Sequence, residues 1–353
     1  MGHESNKRRM TKLLGVITGL IFLAFHSEAY AAEADGGRSK DSRVVAYVTS
    51  GATTLPSADD MTNINYAFGV VNDTFDGVSI NNPERLRRIV GLKDKNPDLE
   101  VMLSIGGWGA GGFSEMAANG KLRKKFVADC KRIIKEYNLD GIDLDWEYPT
   151  SDKAGIVASP KDARNYTKLI KDLRKALPRP LLLTMASPCH AAYYDFPAIV
   201  KYIDFVNVMT YDMGTPPRHH SALHPSQHTK YSAEEALEAH LKAGVPASKL
   251  VLGIPFYGIG KSPYGNYVSY RDIRQKQGCS ERWDSIACVP YMADSIGNLV
   301  LTYDNPRSIS IKCDFIKEHG LLGAMYWNYA GDNTRGDLRK AVAQGILRRE
   351  TQH

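Results

Sequence analysis

Cysteine is scarce, with five in 353 residues, and their spacing matches no zinc site. A fold stapled by many disulfides is excluded, so the chain must hold itself together with an apolar core. Tryptophan is scarcer still, at four. Neither charge dominates: the formal net charge is +6, and four basic residues against two acidic ones lie within residues 1–31, so the rest carries +4. That balance argues against nucleic acid as a partner. No Gly-x-Gly-x-x-Gly turn follows the first apolar stretch of the globular part, which removes the main support for a dinucleotide-binding open sheet. Long apolar runs are missing too. The run at 13–25 is too short to span a bilayer comfortably. It follows Lys7, Arg8, Arg9 and Lys12 and precedes Ala29-Tyr30-Ala31, the layout of a secretory signal. We expect a signal peptide at 1–31, a polar disordered leader at 32–42, and an exported product with no membrane attachment after cleavage.

What is present is regular alternation. With 43% hydrophobic residues, the chain can bury a large core. Short apolar stretches at 43–48, 63–69, 100–105, 141–147, 181–186, 204–210, 250–255 and 323–327 read as strands. Longer amphipathic stretches at 83–95, 113–137, 160–177, 232–243, 308–319 and 338–347 read as helices. Asn82-Pro83-Glu84 and Ser232 with Glu234-Glu235 supply start signals, and Gly244 and Gly320 supply stops. Weak helices follow the first and fifth strands. Eight strand-then-helix units predict an α/β fold, a (β/α)8 TIM barrel at 43–348. The spacing breaks once, where about 258–305 forms a small insertion between strands seven and eight.

The centre of the chain is Asp140-Gly141-Ile142-Asp143-Leu144-Asp145-Trp146-Glu147. Ile142, Leu144 and Trp146 alternate with Asp143, Asp145 and Glu147, which places the three acids on one face of a strand. At roughly 7 Å between neighbours, like charges repel, and at least one carboxyl should hold a proton near neutral pH. Barrel enzymes carry their chemistry at the C-terminal ends of the strands. Glu147, the last acid before Tyr148-Pro149, is therefore the candidate general acid.

This segment resembles the DGxDxDxE signature of glycoside hydrolase family 18, the chitinases and their relatives. Ser104-Ile105-Gly106-Gly107 resembles the family's SxGG motif, and Met209-Thr210-Tyr211-Asp212 its M-x-Y-D motif. The resemblance implies substrate-assisted hydrolysis of β-1,4-linked N-acetylglucosamine polymers, one of the exceptions to the two-carboxylate scheme. Asp145 would hold the substrate's acetamido N–H and share a proton with Asp143. Ser104 and Tyr47 would hydrogen-bond Asp143. Tyr211 would donate to the acetamido oxygen, and Asp212 would contact the sugar at the cleavage point. Trp327 would form the floor beneath the sugar, with Phe68 and Met209 lining the same pocket. Gly106 and Gly107 belong to the substrate-binding set, and Trp108, Tyr257 and Trp283 would extend an aromatic path along the groove. The partner implied is chitin or an N-acetylglucosamine-containing oligosaccharide, including the chitobiose core of N-glycans as an alternative. A chitin-binding lectin is disfavoured because Glu147 is retained.

The loop Trp327-Asn328-Tyr329 departs from the family's usual Trp-Glu or Trp-Ser. The histidines between Arg218 and His228 read as a polar loop near the cleft rather than a metal site. No metal or other cofactor is expected, and the enzyme is expected to be a monomer. The insertion is shorter than the family's full-sized version, so an open cleft is expected. Cys279 and Cys288 flank Trp283 and are left open between a disulfide and free thiols, while Cys130, Cys189 and Cys313 are expected as buried thiols.

Overall fold

The first strand, β1 (Arg43–Thr49), is buried along its whole middle. Strands apolar on both faces belong in a sheet covered on both sides. In this computed structural model, which describes residues 42–347, alternate β1 side chains serve two cores. Val45 and Tyr47 point inward with Met102, Phe205, Val251 and Met325. Val44, Ala46 and Val48 point outward into the larger core shared with the helices. The expected signal peptide and nearly all of the leader lie outside the described residues.

The sheet continues through β2 (Asn63–Val71), β4 (Glu100–Gly106), β5 (Gly141–Asp145), β6 (Leu182–Pro188), β7 (Val206–Met209), β8 (Leu250–Pro255) and β14 (Gly323–Trp327). All pair in parallel, and β14 returns to β1, which also pairs with β2, closing an eight-stranded barrel. A short β3 (Val78–Ile80), not anticipated from the sequence, pairs antiparallel with β2. The helical layer comprises α1 (Pro83–Val90), α2 (Phe113–Ala118), α3 (Gly120–Tyr137), α4 (Asp162–Ala176), α5 (Phe196–Ile199) and α6 (Ala233–Lys242), then α7 (Tyr270–Ile273) within the insertion, α8 (Pro306–Glu318) and α9 (Asp337–Leu347). Ser232 caps α6 in a reciprocal box with Glu235, as the sequence predicts. The single helix expected over 113–137 is two. Asn119 is extended and its side chain caps Lys121 and Leu122, so an Asn that competes for backbone donors breaks the helix.

Between β8 and α8, the strands β9 (Tyr257–Gly260), β10 (Val268–Ser269), β11 (Ser280–Asp284), β12 (Val289–Ala293) and β13 (Leu299–Thr302) form an antiparallel sheet in the order β10-β9-β13-β12-β11. This is the expected insertion. All five cysteines are free. Ser280 pairs with Ala293 and Asp284 with Val289, so Cys279 and Cys288 stand at opposite ends of β11. At about 3.4 Å per residue they lie roughly 17 Å apart, beyond the ~7 Å Cα separation a disulfide tolerates. The bridge option is thereby removed. Cys130 and Cys313 are buried as expected, but Cys189 is only half-buried and opens onto the cleft.

Candidate active site

The acid row starts inside the barrel. Asp143 is fully buried, and both its oxygens are taken. Oδ2 accepts from the hydroxyls of Tyr47 and Ser104, each at 2.8 Å. Oδ1 accepts from Thr184 Oγ1 at 2.6 Å and Asn207 Nδ2 at 3.2 Å. Tyr47 and Ser104 follow the sequence-based expectation; Thr184 and Asn207 were not foreseen. Burial pushes Asp143 up, and its hydrogen bonds pull against that rise. Asp145, two residues on and also buried, has an Oδ1 with no hydrogen-bond partner. Burial, then Glu147, then Asp143 drive its carboxyl well above the usual range. Four donors favour the charged form of Asp143, whereas Asp145 lacks such support, so the proton of this pair belongs on Asp145.

The strand stops at Asp145, earlier than predicted, so Glu147 projects from the exit of β5. Trp146 anchors that exit. It is buried, stacks on Phe113 with ring centroids 5.2 Å apart, and its carbonyl accepts the Tyr194 hydroxyl at 2.9 Å. Burial raises the Glu147 carboxyl to about 7; Tyr148 opposes the rise and the charge of Asp212 adds to it. A carboxyl poised there can give and take back a proton near neutrality.

Gly106 and Gly107 adopt φ of 126° and 94°. A Cβ on Gly106 would lie 2.0 Å from the Asp145 carbonyl oxygen, and one on Gly107 would lie 2.7 Å from the Phe68 ring. The two glycines let β4 pass close under the acid row and the aromatic floor. At Phe68 the register against β4 slips between Ala67 and Gly69, a bulge that re-aims this side chain.

Asp145 and Glu147 open into a pocket of about 280 Å³. Trp327 forms one side, stacked on Phe68 at 5.6 Å and edge-on to Tyr47 at 5.9 Å. Met209, Tyr211 and Asp212 line the same space, and the Tyr211 ring is buried. Trp108 also lines the pocket, 64% exposed and edge-on to Tyr148 at 6.3 Å. Tyr148 in turn stacks on Tyr193 at 4.9 Å. Two sequence-based placements change. Tyr257 sits behind Asp212, donating its hydroxyl to Oδ1 at 2.5 Å, and Trp283 lies outside the pocket under the Arg307 guanidinium at 3.8 Å.

Residues 43–332 match the sequence profile of Glycosyl hydrolases family 18. The chain belongs to that family. It is 32% identical over 314 residues to Chitinase A1 of Niallia circulans, covering 74% of this chain but only 44% of that protein. Chitinase B of Serratia marcescens is 29% identical over 395 residues, covering 86% of this chain and 79% of that one. Among solved structures, a family 18 N-acetylglucosaminidase from Paenibacillus barengoltzii superposes with a TM-score of 0.79 at 34% identity, over 86% of this chain and all of that chain. A Group IV chitinase from Ostrinia furnacalis gives 0.77 at 29% identity, with 87% and 100% coverage.

Within this family 18 barrel, sequence reasoning missed the wall formed by the end of β6 and the residues just after it. Ala186, Pro188, Cys189 and His190 line the pocket, yet no motif marks them, and Tyr193 was equally silent. It also misjudged the histidines. His219 and His220 are completely buried, because β13 closes over them: the His220 amide donates to Thr302 Oγ1 at 3.2 Å. His219 Nε2 is 3.1 Å from Asp284, and burial holds its ring down to about 4 although Asp284 opposes this. His220 Nδ1 lies 3.7 Å from Asp212 Oδ1. Burial works against the Asp212 charge, but His220 and Tyr257 outweigh it and hold the carboxyl below its ordinary value. Among the described residues, no group of three or more His, Cys, Asp or Glu side chains is placed to hold a metal ion.

Proposed function

We propose that this chain hydrolyses β-1,4-linked chains of N-acetylglucosamine with retention, using the substrate's own amide as nucleophile. The observation that carries this is the unequal pair beneath Glu147: Asp143 with four donors, Asp145 with a free oxygen and a high pKa. A protonated Asp145 is a poor nucleophile but suits a neighbouring amide. The acetamido oxygen forms a bond to the anomeric carbon as the glycosidic bond breaks. Glu147 delivers its proton to the departing oxygen, leaving a cyclic oxazolinium ion. As Asp145 turns to the acetamido N–H it leaves the shared proton on Asp143, and its carboxylate balances the positive charge, while Tyr211 aligns the acetamido oxygen. Water then adds at the anomeric carbon, returns a proton to Glu147 and yields the β-anomer. Trp327, Phe68 and Tyr47 hold the reacting sugar, and Trp108 with Tyr148 receives the leaving part.

Asp212, whose carboxyl is held below its ordinary value, also lines the cleft, and its Oδ1 is already engaged by Tyr257. Proton NMR on a defined N-acetylglucosamine oligomer tests the scheme, with the β-anomer expected first. An α-anomer appearing first, or equal cutting of a β-1,4-glucan that lacks the amide, overturns it. Release of single terminal sugars is a second reading. The likeness to the Paenibacillus N-acetylglucosaminidase over that chain's full length supports it, and monomer rather than dimer as the first product would select it. Faster release of glycans from a glycoprotein would move the substrate to the N-glycan core. Residues 1–31 complete the proposal as a secretory signal preceding a monomeric barrel domain, a barrel that needs no cofactor. Among the described residues no helix is long and apolar enough to cross a membrane.

A further inference from the structure

Asp212 holds a backbone conformation that side chains avoid. Its φ is 56°, a left-handed turn that costs a non-glycine residue about 1 kcal/mol or more. Something must hold it there. Tyr257 at the start of the insertion supplies one hydrogen bond to Oδ1. Facing the same residue is His220, whose Nδ1 accepts the Asp212 amide N–H at 3.5 Å and lies 3.7 Å from Oδ1. The imidazole is wholly buried, lies 5.2 Å from the Tyr257 ring, and its Nε2 has no partner. A ring nitrogen that accepts an N–H carries no proton, so the neutral ring holds its proton on Nε2. The backbone around His220 is fixed from the insertion side. Thr302 accepts its amide, and the next residue, Ser221, is bonded to Asp304 and, through its carbonyl, to the buried Lys312.

We propose that His220 is a positioning residue for Asp212. Its Nδ1 accepts the Asp212 amide N–H and so holds the left-handed turn in which Tyr257 donates to the carboxylate, beside the general acid. The titratable groups around Asp212 are Glu147 at the β5 exit, Tyr211 next to it, Tyr257 and Tyr267 from the insertion, and Cys189 after β6. His219 is the further titratable neighbour of His220. Among these neighbours His220 is the only imidazole at ion-pair distance from Asp212. The insertion thus acts on the cleft through the support it gives this pair, besides the wall it contributes.

The inference rests on the hydrolase reading above, so its test is built to fail separately. His220→Asn places an amide oxygen where Nδ1 now stands, able to accept the Asp212 N–H, whereas His220→Gln places its amide near Nε2, away from Asp212. Both are polar and close in size. Profiles of kcat/KM against pH on an N-acetylglucosamine oligomer should show the Asn variant close to wild type. The Gln variant should lose activity earlier as pH falls, its acid limb rising by about half a pH unit or more, with the basic limb unmoved. Identical acid limbs in the two variants would overturn the proposal, as would an equal loss at every pH. Titration of the Asp212 carboxyl by carbon NMR gives a substrate-free readout, with an upward shift expected in the Gln variant only. If wild type cuts no such oligomer, the functional reading falls, while the carboxyl titration still decides the role of His220.

Discussion

The two banks of the cleft are built on different principles. On the β5 bank Asp143 and Asp145 sit on a barrel strand with Glu147 at its exit, and the partners of Asp143 come from neighbouring strands at fixed register: Ser104 pairs beside it on one side and Thr184 on the other. On the Asp212 bank the carboxylate sits on a left-handed turn, held by Tyr257 of the insertion and a histidine that the insertion buries. The first bank is rigid because sheet geometry sets it. The second depends on loops and one added sheet, so variation in the insertion can act there while the acid row stays fixed.

The comparison can be broken hardest at Glu147. Glu147→Gln keeps the shape and removes the transferable proton, so turnover should fall about 10²-fold or more, measured as kcat on an N-acetylglucosamine oligomer with the fold checked by circular dichroism. Undiminished turnover would mean that the acid lies on the other bank. In the wild type the acid form is present below its raised pKa of about 7. Activity should therefore hold below that value and decline as pH rises through it, toward tenfold per unit.

Asp143→Ala is the next largest disruption, and it reads out in stability rather than chemistry alone. It strands the hydroxyls of Tyr47, Ser104 and Thr184 and the amide of Asn207 in a dry interior. A loss of roughly 2–4 kcal/mol is expected from unsatisfied buried donors, measurable by urea unfolding. Asp212→Ala strands a single donor, the Tyr257 hydroxyl, and leaves Ala in the left-handed turn, so it should cost less, about 1–2 kcal/mol. If the two variants unfold alike, the distinction between a sheet-set bank and a loop-set bank is wrong.

What the sequence disclosed follows the same division. Alternation of apolar and acidic residues over 142–147 is a local signal, and local signals survive without the fold. The eight barrel strands were legible for that reason, as were the caps at Ser232 and Asn82. Thr184 and Asn207 were not, since each is a small polar residue in a mostly apolar strand, 41 and 64 positions from the carboxylate it serves. The histidines misled because Arg, Pro and His in one stretch look solvated. Their burial depends on β13, 82 residues further on. The break at Asn119 was local yet overlooked, since amphipathic spacing continues across it.

A smaller effect is expected at Trp327, where the banks share a floor. Trp327→Ala removes the ring that Phe68 and Tyr47 support. Loss of stacking should raise KM about tenfold, an energy near 1.4 kcal/mol, with kcat changed less. A fall confined to kcat would instead give the ring a part in the reacting geometry.

The smallest effect asks what holds the insertion in place. If the Asp212 bank needed a covalent staple, Cys279 and Cys288 would be the available pair, yet they stand at opposite ends of β11. The insertion is anchored by burial instead: Leu301 and Tyr303 belong to the main core, and Lys312 locks onto Asp304 with both side chains excluded from water. Replacing both cysteines by serine should leave the thermal midpoint of the oxidised protein unchanged. A native bridge would be worth about 2–4 kcal/mol, several degrees in a chain of this size. A drop of that order would mean the hairpin rearranges to join the thiols, and the support reaching His220 and Asp212 would then be covalent rather than packed.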